Sequence, residues 1–251
     1  MPISPHFRNM FGGVFLLIAS AVALMAWAVR GRSAWLLAPS VWRGPRTRRA
    51  IALTFDDGPS ESTPQLLTLL AQYRAKATFF VCGHHARRLP QVLIRAVGEG
   101  HEIGNHTDMH EALYLRGTGF ILNEMTRAQD SIELIAGVKP RLFRPTYGAR
   151  WFGQRNAQHK LEMICVMWTT IARDWILDGA SIAQRLGRRT RPGAIFCLHD
   201  GRELRHNPDI RPTLRALELL LPQWSAAGYE FVTVSELLAK KPLDNRDGAA
   251  L

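Results

Sequence analysis

The sequence predicts an α/β protein built around a parallel sheet and preceded by one N-terminal transmembrane helix. Two observations carry this prediction. From Ala50 onward, short apolar runs alternate with segments of helical periodicity, which is typical of parallel strands joined by crossover helices. Ahead of that region, the 19 residues Phe11–Val29 contain no charged side chain. The alternation alone leaves open whether the sheet is doubly wound and open or closed into a barrel.

Residues 1–30 are predicted to form a membrane anchor. A helix that crosses a bilayer needs about 20 apolar residues, and the uncharged stretch Phe11–Val29 meets that length. A cleaved signal peptide is the alternative, because Ala26–Ala28 follows the small-x-small pattern of a cleavage site. The anchor is favoured, since an apolar stretch that continues to Val29 is long for a signal peptide.

The positive charge of the chain is concentrated near its N-terminus. The net charge is +11, and residues 1–49 carry seven arginines and no acidic residue, whereas the remainder holds 25 basic against 21 acidic residues. Residues 31–49 are therefore predicted to be a basic juxtamembrane linker, with Trp35 and Trp42 at the level of the lipid headgroups. No nucleic-acid-binding motif accompanies this charge, so the expected partner is a membrane surface or an anionic polymer and not nucleic acid.

Residues 50–240 are predicted to form the folded domain, followed by a polar tail at 241–251. Seven runs are short, apolar and rich in β-branched or aromatic residues, as expected of buried parallel strands. They are Ala50–Phe55, Ala77–Val81, His101–Asn105, Leu142–Arg144, Met163–Trp168, Ala194–Leu198 and Glu230–Val234. Three cysteines fall in or beside these runs without the spacing of a metal site, which indicates small buried side chains: Cys82, Cys165 and Cys197.

Polar or ionisable residues follow five of these runs, at the carboxyl end of each predicted strand. In a (β/α) barrel the carboxyl ends of the strands form the catalytic face. The residues are Asp56 and Asp57; His106 and His110; Arg144, Pro145 and Tyr147; Asp174 and Trp175; and His199 and Asp200. This one-sided distribution predicts a single active site at that face.

Asp56 and Asp57 directly follow a buried strand, where an ionised carboxylate is costly unless it is paired or holds a metal. On its own, such a pair before Gly-Pro is more often an Asx-type turn. His106 and His110 are four residues apart, and on a helical turn both imidazoles would share one face. Two imidazoles and one carboxylate form a three-ligand site for Zn²⁺ with a fourth position open to water. The histidine pair is a weak signal alone, and the aspartates on the same predicted face favour the metal site.

The chain resembles the NodB-type polysaccharide deacetylases of carbohydrate esterase family 4, which remove N-acetyl or O-acetyl groups from polymeric sugars. The motifs TFDDGP, GNHTDMH, RPTYG, RDW and LHD occur in the order of that family, between about Ala50 and Leu238. Five ordered motifs are a specific signal, although each one alone is not. The resemblance implies a distorted (β/α)₇-type barrel, which agrees with the seven predicted strands.

The resemblance also implies a metal centre and a catalytic base. Asp57, His106 and His110 resemble the ligands of a divalent metal, with Zn²⁺ favoured and Co²⁺, Mn²⁺ or Ni²⁺ as alternatives, because such a donor set discriminates weakly. Asp56 resembles the general base of the family. Arg144 resembles the arginine that pairs with this base.

The remaining matches imply an acid, an oxyanion donor and a substrate pocket. His199 resembles the general acid, Asp174 the carboxylate that orients it, and the backbone N–H of Tyr147 an oxyanion donor. Residues that resemble the substrate-binding ones are Leu198, Trp175 and Pro145. The chain departs from the family at Ile171, where an aspartate is frequent, which puts the shape of that loop in doubt.

These roles imply a metal-dependent hydrolase that removes acetyl groups, N-acetyl above all, from a cell-wall or capsule polysaccharide. Two alternatives remain open: a deacetylase of a lipid-linked sugar at the membrane, and a membrane-held, non-catalytic carbohydrate-binding relative. The apolar segment predicts a single-pass membrane protein. A polymer substrate implies that its domain lies on the extracytoplasmic side. The charge pattern argues the other way, because arginines follow the span and the positive-inside rule would keep them in the cytoplasm.

Overall fold

The computed structural model describes the backbone of residues 5–239 and the side chains of residues 13–239. The first four residues of the predicted anchor and the predicted tail at 241–251 lie outside this range. Nine strands occur within it: β1 Ser40–Val41, β2 Ala50–Gly58, β3 Ala77–Val81, β4 Glu102–Asn105, β5 Leu142–Phe143, β6 Ile164–Val166, β7 Thr170–Ile171, β8 Ala194–His199 and β9 Glu230–Phe231.

Helices connect these strands, as the alternating pattern predicts. They are α1 Pro5–Arg30, α2 Thr63–Gln72, α3 Gly83–Arg88, α4 Pro90–Gly98, α5 Thr118–Ala136, α6 Gln154–Lys160, α7 Gly179–Gly187, α8 Arg211–Ala226 and α9 Val234–Leu238. A short 3₁₀ turn, Thr146–Gly148, follows β5.

The strands form one curled sheet in which every paired strand is parallel, in the order β1-β6-β5-β4-β3-β2-β8-β7, with β9 alongside the start of β2. The two end strands, β1 and β7, do not pair with each other within residues 5–239. The sheet is therefore a barrel that curls without closing, and the predicted α/β class with a distorted (β/α) barrel is confirmed.

All seven predicted strands are present, but several boundaries differ. The predicted strand Glu230–Val234 ends at Phe231 because α9 begins at Val234. The Thr233 side chain accepts from the backbone of Glu236, and the Glu236 carboxylate accepts from the backbone of Thr233, a capping box that fixes this helix start. Strands β1 and β7 were not predicted, because two residues carry no readable pattern.

Strand β2 is buried along its whole length and separates two packed regions. Its odd-numbered residues Ile51, Leu53 and Phe55 face the helices in the largest apolar cluster. Its even-numbered residues face the barrel interior, where Ala50 and Ala52 pack among apolar side chains. This alternation along the strand brings Asp56 into the upper barrel interior.

Helix α1 is the one helix among the described residues that is long and apolar enough to cross a membrane. Its window Gly13–Arg30 has a mean hydropathy of 2.0, and 6% of that window is buried within the protein. A signal sequence would meet the same test of length and composition. Residues 13–27 of α1 are therefore exposed, and the helix packs against the domain in its last turn, where Ala28 is buried.

The predicted linker at 31–49 is docked onto the domain. Strand β1 pairs with β6, and the backbone N–H of Arg150 donates to the carbonyl of Val29 at 2.9 Å. The buried guanidinium of Arg150 donates to the carbonyl of Gly31 and to Ser40 Oγ. The Arg32 guanidinium donates to the carbonyl of Thr169, between β6 and β7. We call residues 29–41 the N-terminal clasp, because these contacts hold the end of α1 against the open seam of the sheet.

We expect a chain that starts at Ala50 to be markedly less stable than one that starts at Ala28 and keeps the whole clasp. Removing the clasp leaves the buried Arg150 guanidinium without its acceptors and exposes the edge of β6. Hydrogen bonds to charged groups contribute about 1.5–3 kcal/mol each, so the loss is on the order of 3–6 kcal/mol and the thermal midpoint falls by about 10 °C or more. Thermal unfolding of the two chains, monitored by circular dichroism, measures the difference. Equal midpoints would show that the clasp does not stabilise the domain.

Candidate active site

The carboxyl ends of the strands meet around a cavity of about 550 Å³. Seven of the eleven predicted site residues line it: Asp56, Asp57, His106, His110, Tyr147, Trp175 and His199. The other four are Arg144, Asp174, Pro145 and Leu198. The first two contact lining residues from behind, as described below, and Pro145 is buried at the start of the 3₁₀ turn.

Leu198 does not face the cavity, which corrects the predicted contact with substrate. Side chains alternate along a strand, so Cys197 and His199 point toward the cavity and Leu198 points toward the helices. Leu198 is fully buried in the helix-facing cluster. Cys197 therefore lines the cavity where Leu198 was predicted. The alternation of side chains along β8 is the sequence signal that identifies Cys197.

Asp57, His106 and His110 converge on one point. The Nε2 atoms of His106 and His110 lie 3.3 and 3.0 Å from Asp57 Oδ1. The His106 ring is fixed by a 2.7 Å hydrogen bond between its Nδ1 and the carbonyl of Arg144. The backbone N–H of Glu203 donates to the other oxygen of Asp57. One carboxylate oxygen and two imidazole nitrogens thus share one small space.

The histidines are brought together by a loop and not by the helical turn that their spacing predicts. Residues 106–110 follow β4 without helical structure. Thr107 and His110 adopt left-handed backbone conformations, with φ of 68° and 52°, and Asp57 has φ of 71° beside an irregularity in the pairing of β2 with β3. Such conformations are strained for non-glycine residues and cluster at functional sites. Here they turn the three side chains toward one another.

The donor set fits a divalent cation. Its three ligand atoms lie within 4.8 Å of one another, and all three residues are buried. Burial alone would raise the pKa of Asp57, but hydrogen bonds from His106 and His110 outweigh it and hold the pKa well below its usual value. The carboxylate is therefore ionised, as a metal ligand must be. A second group, Asp56 with Cys197 and His199, fits less well because Asp56 and His199 already have ion-pair partners.

Asp56 is held by a fully buried arginine inside the barrel. Arg144 Nη1 donates to Asp56 Oδ1 and to Thr54 Oγ1, both at 2.7 Å. Arg144 Nε donates to the carbonyl of Val166 at 3.0 Å, and its guanidinium lies 4.0 Å from the ring centroid of Phe80. An ion pair in this environment is not screened by solvent, so the Asp56 carboxylate has one fixed orientation and a fixed counter-charge.

His199 and Asp174 form the second charged pair of the site. His199 Nδ1 lies 2.7 Å from Asp174 Oδ1, while Asp174 Oδ2 accepts from the His199 backbone and from the Thr213 hydroxyl. Burial alone would lower the pKa of His199, but the charge and hydrogen bond of Asp174 raise it to about 9. Because Nδ1 is engaged, Nε2 is the ring nitrogen left for a ligand in the cavity. Thr213 lies in α8, and no sequence pattern pointed to it.

Tyr147 and Trp175 form the exposed rim of the cavity. Tyr147 lies in the 3₁₀ turn with φ of 57°, its ring contacts His110 edge-on at 5.0 Å, and its hydroxyl donates to Glu203. Burial together with the Glu203 carboxylate raises the pKa of Tyr147 to about 12, so the hydroxyl is neutral. The Trp175 ring meets His199 edge-on at 5.4 Å. Both side chains are 46% exposed at the cavity.

Asp200 holds the turn that follows the two aspartates. The Thr63 hydroxyl donates to Asp200 Oδ2 at 2.6 Å, and the Ser60 hydroxyl donates to its carbonyl. Burial raises the pKa of Asp200 to about 7. A side chain at Gly58 would collide with the Asp200 carboxylate, which explains why glycine follows the aspartate pair. Asp200 therefore fixes the turn between β2 and α2 and does not line the cavity.

The fold and the site together define a hydrolase of the (β/α)-barrel class with two carboxylate-supported groups around a candidate metal centre. Comparison with known proteins agrees with this class. The family described as polysaccharide deacetylase matches residues 43–165. A peptidoglycan-N-acetylglucosamine deacetylase of Bacillus cereus is 37% identical over 206 residues, covering 80% of this chain and 93% of the relative.

Two solved structures share the fold. The Bc1960 peptidoglycan N-acetylglucosamine deacetylase superposes with a TM-score of 0.74 and 30% identity, over 80% of this chain and 92% of that one. A family 4 acetyl xylan esterase from Clostridium thermocellum, in complex with a cobalt ion, has a TM-score of 0.68 and 32% identity, over 75% and 89% of the two chains. The chain belongs to the polysaccharide deacetylase family and is a carbohydrate deacetylase.

Proposed function

We propose that the protein is a metal-dependent, membrane-anchored enzyme that removes N-acetyl groups from N-acetylhexosamine residues of a cell-wall or capsule glycan. The observation that carries this proposal is the convergence of Asp57, His106 and His110 beside Asp56 and His199 in one cavity. The name of the Bacillus cereus relative supports an N-acetylglucosamine unit as the substrate.

Asp57, His106 and His110 would hold the cation. When bound, a divalent cation polarises an acyl carbonyl and makes water more acidic. Zn²⁺ is the first candidate, and Co²⁺, Mn²⁺ and Ni²⁺ suit the same donors. The cobalt ion in the acetyl xylan esterase relative supports a metal in this family without identifying the one used here.

Asp56 acts as the general base. It takes the proton of the water that attacks the acyl carbon, and Arg144 keeps the carboxylate oriented throughout. The backbone N–H of Tyr147 donates to the oxyanion of the tetrahedral intermediate. His199 then donates its proton through Nε2 to the leaving nitrogen, because an amine does not leave as an anion. Asp174 keeps the imidazolium in place for that step.

Helix α1 anchors the enzyme, with the domain on the extracytoplasmic side where a cell-wall polymer lies. Its apolar length supports a span, whereas the arginines that follow it favour the opposite orientation. Labelling a single engineered cysteine at the exposed Leu134 in intact cells with a membrane-impermeant maleimide tests this, because the three native cysteines are buried. Labelling only after lysis would place the domain in the cytoplasm.

Acetate release by the full-length protein in detergent tests the proposed reaction. The substrates are N-acetylglucosamine oligomers, peptidoglycan and acetylated xylan, each with chelator and with added Zn²⁺. Metal-dependent release from the N-acetylated substrates is the expected result, while release from xylan alone would identify an O-deacetylase. No release from any substrate by the metal-loaded protein would favour the non-catalytic alternative, which the presence of both Asp56 and His199 argues against.

We expect the deacetylation rate to fall as the pH rises through about 9. The proposed acid His199 carries its proton below its pKa, which Asp174 raises from 6.5 to about 9. A cation at the neighbouring Asp57 would lower this pKa and move the alkaline limb to lower pH. Replacing Asp174 with Asn removes the raising charge, and the limb should move to lower pH, toward 6.5. The exposed Asp178→Asn variant serves as the control. An alkaline limb that stays in place in Asp174→Asn would exclude His199 as the acid.

A further inference from the structure

The end of the apolar helix α1 forms part of the cavity wall. Arg30, its last residue, lines the same cavity as Asp57 and His199. The preceding residues are fixed to the domain, since Ala28 is fully buried and the carbonyl of Val29 accepts from the backbone of Arg150. The cavity therefore begins where the apolar segment ends.

Because the clasp is bound to the domain, the apolar helix and the domain are not joined by a flexible linker. A flexible linker of 19 residues would let the domain range over about 25 Å from the membrane. Residues 29–41 are instead bonded to Arg150, Thr169 and β6, so this freedom is absent. If Phe11–Val29 spans the bilayer, Arg30 lies at the headgroup level and the cavity mouth lies beside it.

The mouth also carries three arginines against one exposed acidic residue, Glu203, whose carboxylate accepts from the Tyr147 hydroxyl. Arg30, Arg202 and Arg205 all line the cavity. Within residues 13–239, Arg30 and Arg205 are exposed and form no ion pair, whereas Arg202 donates to the carbonyl of Asp174. N-acetylglucosamine, the sugar proposed above, has no charge for these guanidinium groups to bind. Guanidinium forks match the geometry of phosphate oxygens.

Exposed apolar side chains lie beside the cavity and in the clasp. Trp175 and Ile176 are 46% and 61% exposed beside the cavity, and Trp35 is 64% exposed in the clasp. Tryptophan is enriched at the level of lipid headgroups, where its ring contacts both apolar and polar groups. Trp175, the arginines and the end of α1 line one cavity, and its exposed rim is suited to the membrane–water boundary.

Building on the proposed deacetylase function, we propose that the substrate is a saccharide attached through a phosphate group to a membrane lipid. Arg30 and Arg205 bind the phosphate, with Arg202 beside them, while the N-acetylated sugar occupies the cavity above Asp57. This position favours the membrane-bound, lipid-linked precursor of a cell-wall or capsule glycan over the finished polymer farther from the membrane. A lipid-linked sugar is also compatible with either orientation of the span, so the arginines that follow α1 no longer conflict with the function.

Full-length protein reconstituted in phosphatidylcholine vesicles tests this proposal with one N-acetylglucosamine disaccharide in three forms. The first is the free sugar, the second its soluble diphosphate, and the third the same diphosphate linked to a polyprenyl lipid. We expect kcat/KM to be at least about tenfold higher for the lipid-linked form than for the free sugar, equivalent to about 1.4 kcal/mol. Arg30→Gln and Arg205→Gln should each lower that ratio about fivefold or more. The exposed Arg46→Gln, outside the cavity, should leave it unchanged.

Equal rates on the free and lipid-linked sugars would overturn this inference and leave the deacetylase function intact. A soluble diphosphate that matches the lipid-linked form would overturn the role of the lipid. No acetate from any substrate would overturn both proposals.

Fluorescence quenching, which requires no substrate turnover, measures how close the mouth of the cavity lies to the bilayer. A fluorophore on Ile176→Cys should be quenched by spin-labelled headgroups in these vesicles. A fluorophore on Leu134→Cys, at the far end of α5 and 87% exposed, should not. Equal quenching at the two positions, or none at either, would contradict the proposed position of the cavity.

Discussion

Replacing Asp57 or His110 with alanine is expected to abolish metal binding and to lower acetate release by about a thousandfold or more. Each substitution removes one of three converging donors, and the two that remain bind a divalent cation weakly. A bound cation contributes several kcal/mol of transition-state stabilisation, and each 1.4 kcal/mol is about tenfold in rate. The metal content of the purified protein and its acetate release with added Zn²⁺ measure the two effects separately.

His159→Ala provides the matched control for these substitutions. His159 is an exposed histidine on α6, outside the cavity, and its loss should change neither metal content nor rate. A wild-type metal content in both Asp57→Ala and His110→Ala would show that this group is not the metal centre. Wild-type activity without metal would remove metal dependence from the proposed function.

Replacing Asp56 with Asn is expected to lower the rate about 10²- to 10⁴-fold, the usual contribution of a general base, while bound metal is retained. Asparagine keeps the shape of the side chain and still accepts from Arg144, but it cannot take a proton. The substitution also removes the counter-charge of a fully buried guanidinium, so the free energy of unfolding should fall by about 3 kcal/mol or more. Kinetics at a temperature well below the unfolding midpoint keep the two effects apart.

Asp178→Asn makes the same change from carboxylate to amide at an exposed position and serves as the control. An Asp56→Asn variant that binds metal and turns over at the wild-type rate would assign the base to another group. Loss of metal in the same variant would mean that Asp56 acts as a ligand and not as a base.

Most of the barrel was predictable from the chain because buried parallel strands leave a strong pattern. Ala77–Val81 matches its prediction at both ends, and β2 extends the predicted run Ala50–Phe55 by Asp56, Asp57 and Gly58. Strands β1 and β7 escaped prediction because a two-residue strand is defined by its neighbours and not by its own composition. The docking of residues 29–41 escaped for the same reason, since it depends on Arg150, more than 100 residues away.

The candidate site was predictable in its residues and less so in its geometry. Motif order brought Asp57, His106 and His110 to one face, but the left-handed backbone that aims them is a tertiary property. Leu198 was wrongly predicted to contact substrate, because it lies next to His199 in the chain. Side chains alternate along β8, so Cys197 shares the cavity face with His199 and Leu198 does not. Thr213 supports Asp174 from a different helix, a contact that no local pattern encodes.

Arg144 contacts both Asp56 and His106, and the two contacting groups, its guanidinium and its carbonyl, belong to one residue. Its guanidinium grips Asp56, while its own carbonyl oxygen fixes the ring of His106. Substitutions at Arg144 and at Asp56 should therefore be strongly non-additive, because each disturbs what the other depends on. A change at the exposed rim residues Tyr147 and Trp175 leaves this shared support intact, whereas a change at Arg144 disturbs the Asp56 carboxylate and the His106 imidazole together.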